Sequence, residues 1–211
     1  DILMTIDVVA SDFDFTAITA KMQSYIDKGL LSCISTVILR GTEVVDVQNL
    51  GFQDLERKSA LREDAIFRIY SNTKLITSVA LMQCYEAGGF HLADPLSNYL
   101  PEFADMQVLN PGAKTADDRD SAKGPIRIKH ILSHSAGLSY GHFEPDSVID
   151  QLYSEQGIGA LMEGGGDLEM LSQQIASLPL AYEPGAFWRY SVATEICARL
   201  VEVLSGQKFD R

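Results

Sequence analysis

Apolar residues near the start of the chain recur at spacings of three and four: Phe15, Ile18, Met22, Tyr25 and Ile26. That period predicts an amphipathic helix ending near Gly29. The pattern then changes. Residues 35–40 and 44–47 are rich in β-branched side chains and flank Gly41-Thr42, which predicts an antiparallel hairpin. A polar connection (53–64) and a short apolar run (65–70) lead into a long helical segment, 71–87, which Gly88-Gly89 stops. Beyond it the pattern gives a short helix over 96–100, a polar surface loop over 110–124, and helices over 126–133, 146–163, 167–178 and 191–205. The Gly164-Gly165-Gly166 run reads as a hinge or turn. A helix, a hairpin and then a block of helices do not alternate as a doubly wound sheet does, so the class is mixed α/β of the α+β kind. The expected division is residues 1–70, with the first helix and strands, and residues 71–211, a helical lobe. A two-stranded hairpin is not stable alone, so its sheet should need further strands.

Composition narrows the options. The 211 residues are 46% apolar and 22% charged, which suits a sizeable core. Lys and Arg total 17 against 29 Asp and Glu, a net charge of −12, and such a chain is repelled by nucleic-acid phosphates and anionic lipid surfaces. No run approaches the length of a membrane-spanning helix. Cys33, Cys84 and Cys197 are odd in number and widely spaced, which favours buried thiols in a reducing compartment. The expected location is cytoplasmic, or periplasmic or secreted had a leader been removed.

The chemistry concentrates at Ser71-Asn72-Thr73-Lys74, where the long helix begins. Spacing i, i+3 brings the Ser71 hydroxyl and the Lys74 amine to one face. The helix N-terminus, and burial implied by Leu75, Ile76, Val79 and Ala80, should push Lys74 toward a neutral, usable base. The same terminus offers the Ser71 backbone N–H to an oxyanion. A second Ser-x-x-Lys, Ser205 to Lys208, contains Gly206 and reads as a helix end with a solvated lysine. Ser139, in the literal G-x-S-x-G of residues 137–141, lacks the preceding strand and following helix of a nucleophile elbow, so it reads as a turn. His130 and His134 have i, i+4 spacing but no accompanying carboxylate or thiol, so a hydrogen bond from His134 to loop backbone is favoured over a metal. No cofactor is expected.

These stretches together resemble the penicillin-recognising serine hydrolases, which include class C β-lactamases, DD-peptidases and their esterase relatives. F-R-I-Y-S-N-T-K at 67–74 resembles the nucleophile motif. L-A-D-P-L-S-N-Y-L-P at 92–101, I-R-I-K-H-I-L-S-H-S-A-G-L at 126–138 and P-G-A-F-W-R-Y-S at 184–191 are similar to three further segments, in the family's order. The resemblance implies a β-lactamase/transpeptidase-like fold in which Ser71 is the acylated nucleophile, with Lys74 and Tyr190 as a coupled pair moving its proton. Which of the two is the base stays open. Two departures matter. The second motif of these β-lactamases is Y-x-N, whereas Val192 here lacks an amide for Lys or substrate, which favours esters of short acyl groups over β-lactams. The third motif (K-T-G, H-x-G or W-x-G) does not occur in these residues, so the fold is expected to be completed by a C-terminal segment or second chain. The expected partner is otherwise a small-molecule ester. β-Lactamase, DD-peptidase and an inactive binding homologue are the alternatives.

Overall fold

The computed structural model describes residues 6–211 apart from 161, 163 and 165. The end of the helix expected over 146–163 and the middle of the triple-glycine run therefore lie outside the described residues. The chain forms two compact units, one through Arg68 and one from Ile69.

The first unit is a helix and a small sheet. Helix α1 (Thr16–Asp27) follows Asp14, whose side chain accepts the Thr16 N–H at 2.9 Å. Strands β1 (Cys33–Arg40) and β2 (Glu43–Asp54) pair antiparallel around Gly41-Thr42, with Val37 opposite Val47 and a bulge after Ile38. Gly41 has φ 64°, the left-handed conformation that a tight hairpin turn asks of glycine. A third short strand, β3 (Ser59–Ala60), pairs with β2 inside what the sequence reads as a polar connection. Two residues are too few to show a period, so pairing with β2 and not local pattern makes it a strand. Val45 is buried, while Val37 and Leu39 are exposed.

The second unit is built around one helix. Helix α7 (Ala193–Ser205) buries Ala193, Ile196, Cys197 and Leu200, the three- and four-residue spacing of a core-facing stripe. It ends at Gly206, whose φ of 69° closes the helix. Against it pack α2 (Thr73–Glu86), α3 (Ile128–Leu132) and α6 (Leu168–Ala176). Two short helices, α4 (Val148–Glu155) and α5 (Ile158–Ala160), precede α6. Ser147 caps α4 and Asp167 caps α6 through side-chain oxygens that accept the Asp150 and Met170 N–H groups. Leu81, Leu96, Phe103, Ile128, Ile131, Leu138, Tyr153 and Ile175 fill the core with 0–1% exposure, and each large apolar side chain so buried contributes about 1.5–3 kcal/mol. The stretch expected as a surface loop holds strand β5 (Arg119–Ser121), which pairs with β4 (Gln107–Leu109). Its side chains are polar and exposed, so it carries no apolar signal.

Helix α2 differs from expectation in a way that bears on the site. It buries Thr77 and Leu81, four residues apart, whereas Leu75, Ile76 and Val79 are 71%, 60% and 59% exposed. An apolar run on a helix goes all round it, and only one stripe faces α7. Of the cysteines, only Cys197 is fully buried; Cys33 and Cys84 are half-buried free thiols. Among the described residues no helix is long and apolar enough to cross a membrane.

Candidate active site

Ser71 sits in a single 3₁₀ turn, Tyr70–Asn72, and the α-helix proper starts two residues later at Thr73. Tyr70 precedes it at φ 45°, a left-handed conformation that costs a non-glycine residue about 1–3 kcal/mol. That turn leaves Ser71 exposed on the wall of a cavity of about 280 Å³, which Lys74, Thr77, Tyr140 and Glu195 also line.

Tyr190 comes from the loop ahead of α7. Its hydroxyl donates to Ser71 Oγ at 2.8 Å, across 119 positions of sequence. Its ring stacks on Tyr140 at 5.6 Å with a 4° interplanar angle. The Lys74 ammonium lies 5.3 Å from the centre of the Tyr190 ring and 5.5 Å from that of Tyr140. The three residues singled out by motif therefore converge in one place, and the structure adds two that sequence reasoning passed over, Tyr140 and Glu195.

Glu195 changes the electrostatics. Its Oε1 lies 3.4 Å from Lys74 Nζ, and the two side chains are 17% and 20% exposed (Lys74 and Glu195). Burial alone would favour the neutral amine, but Glu195, with smaller contributions from Tyr140 and Tyr190, outweighs it and raises Lys74 above an ordinary lysine. The expectation of a lysine pushed toward neutrality is thereby corrected: a carboxylate from another helix faces it. Tyr140 is raised as well, by burial first and then by Glu195, and stays a neutral phenol.

The rim is held by groups that take no part in that contact. His134 is lowered by burial and by Lys74, and its neutral Nδ1 accepts the Ser191 N–H at 3.3 Å. His130 Nδ1 accepts the Arg127 N–H at 3.2 Å, inside the first turn of α3. Ser139 is fully buried, its hydroxyl shared between Asp150 and Arg189 Nε. A hydroxyl closed off in that way is a tie between loops and has no access to substrate. Arg189 also reaches Glu144 at 2.8 Å and the fully buried Asp150 at 3.0 Å, and these bonds fix the backbone one residue ahead of Tyr190. Burial pushes the Asp150 carboxyl up, but the Ser139 hydroxyl, the Glu144 N–H and Arg189 together hold it below the usual carboxylate range. Val192, expected to face substrate, lies in the core with 0% exposure, and its N–H bonds to the Ser139 carbonyl at 3.1 Å. The second Ser-x-x-Lys is the end of α7, with Lys208 exposed.

An uncharacterised protein of Mycobacterium tuberculosis is 30% identical over 182 residues, 86% of this chain and 44% of that protein. The esterase EstB of Burkholderia gladioli is 29% identical over 208 residues, 96% of this chain and 50% of the esterase. Among solved structures, that of EstCE1, described as a hydrolase with promiscuous acyltransferase activity, superposes with a TM-score of 0.76 at 28% identity, covering 91% of this chain and 47% of EstCE1. The chain thus spans about half the length of these relatives. The β-lactamase family model matches residues 18–211, and the chain belongs to that family, with a β-lactamase/transpeptidase-like fold.

Proposed function

We propose that the protein is a serine hydrolase acting through a covalent acyl-enzyme on esters of short acyl groups. The observation that carries this is the 2.8 Å contact between the Tyr190 hydroxyl and Ser71 Oγ, with the Lys74 cation beside the tyrosine ring. In the reactive form this contact runs the other way: Ser71 Oγ attacks the ester carbonyl while its proton passes to the Tyr190 oxygen. The ester C–O bond then breaks, and that proton leaves with the alcohol. Water repeats the sequence on the acyl-enzyme and releases the acid. The Ser71 N–H, at the start of the helix, is the oxyanion donor from this chain. EstB, named an esterase, and EstCE1, described as a hydrolase, support the reaction class.

The name of EstB supports esters over β-lactams, and Val192, buried away from the cavity, supplies no polar group to it. The test compares kcat/KM for a short p-nitrophenyl ester and for the cephalosporin nitrocefin. Ester turnover far above nitrocefin turnover is expected; equal or greater nitrocefin turnover would make the protein a β-lactamase.

A further inference from the structure

Three features lie outside the reaction as described: the Ser139–Arg189–Asp150 tie, the exposed face of α2, and the Lys74–Glu195 pair. The pair touches the reacting groups most directly. We infer that Glu195 is a positioning residue, which holds Lys74 as an ammonium beside Tyr190 so that the phenol oxygen, and not the amine, receives the Ser71 proton. This rests on the catalytic reading of Ser71, Lys74 and Tyr190 given above.

Geometry carries the argument. Glu195 stands in the first turn of α7, where the helix N-terminus favours a carboxylate. From there Oε1 meets Lys74 Nζ across the cavity wall, whereas Oε2 is buried without a hydrogen-bond partner. A half-satisfied buried carboxylate is a poor structural choice, because each unpaired lone pair costs desolvation with no return. Its return is the cation. The other titratable groups around Lys74 are Tyr140 and His134 from one loop, Tyr190 from another, and Cys197 from α7. His134 is held neutral, and burial keeps Tyr140 a phenol and pushes the Cys197 thiol up to about 12. Among the described residues Glu195 is the one carboxylate paired with Lys74. Without it, burial dominates and the amine sheds its proton more easily.

The sign of the pH effect follows. If catalysis requires the ammonium, activity is lost as pH rises through the Lys74 pKa, which Glu195 sets high. Glu195→Gln removes the negative charge at nearly constant shape, so the alkaline limb of kcat/KM should move toward neutrality by about 1–3 pH units. Glu195→Asp, which keeps the charge, should restore most of that limb. The experiment measures these profiles with a p-nitrophenyl ester, and titrates Ser71 with a fluorophosphonate in each purified protein at its natural length. A Gln variant that still reacts at Ser71 but keeps its alkaline limb overturns the role of Glu195, whatever happens to its melting temperature. A Gln variant more active than the parent at neutral pH overturns it as well, because the neutral amine would then be the base. Failure of the parent itself to react at Ser71 would instead overturn the catalytic reading on which the inference rests.

Discussion

In the proposed reaction Tyr190 is the residue on which the chemistry turns, since its hydroxyl is in direct contact with Ser71 Oγ. Removing its hydroxyl leaves the ring free to keep its stack on Tyr140, so the fold has little reason to change. Tyr190→Phe should therefore lower kcat by about 10²–10⁴, the usual worth of a positioned acid–base group, with an unaltered circular dichroism spectrum. Near-parental turnover would remove Tyr190 from the proton path. The convergence of Ser71, Lys74 and Tyr190 was legible because each sits in a motif of the family that the sequence resembles. The charge of Lys74 was not. Its partner Glu195 is 121 positions away, and only the packing of α2 against α7 brings the two together. Tyr140 was hidden differently: it lies in a turn with no chemical motif of its own, and only the fold stacks its ring on Tyr190.

Long periodic segments were the legible elements. Helices α1, α2, α6 and α7 fall where apolar spacing puts them, with ends shifted by one or two residues because caps and 3₁₀ turns decide the termini. Strands β3 and β5 escaped, being short and paired through backbone bonds that leave no apolar trace. The exposed apolar face of α2 shows the same limit, since period identifies a helix but not which stripe is covered. Gly51 gives an element-scale test. It sits in β2 at φ 81°, and a Cβ there would lie 2.3 Å from the Ser32 carbonyl oxygen and 3.0 Å from Cys33 Cα. Those neighbours are backbone and cannot yield without moving β1. Gly51→Ala should destabilise the protein by more than about 1 kcal/mol, read as a lower melting temperature. An unchanged melting temperature would mean that the sheet near Gly51 is looser than this register requires.

Over the whole chain, the family and its fold were legible because four motif blocks occur in the family's order. The acyl and alcohol preferences were not, because a pocket is shaped by side chains from several elements and no single motif encodes it. All of these readings depend on one atom being the nucleophile. The most direct measurement is to treat the purified protein with a fluorophosphonate and locate the added mass by peptide mapping. The account predicts a single modification at Ser71, lost together with ester turnover in Ser71→Ala. Modification at Ser139, or full turnover in Ser71→Ala, would contradict it.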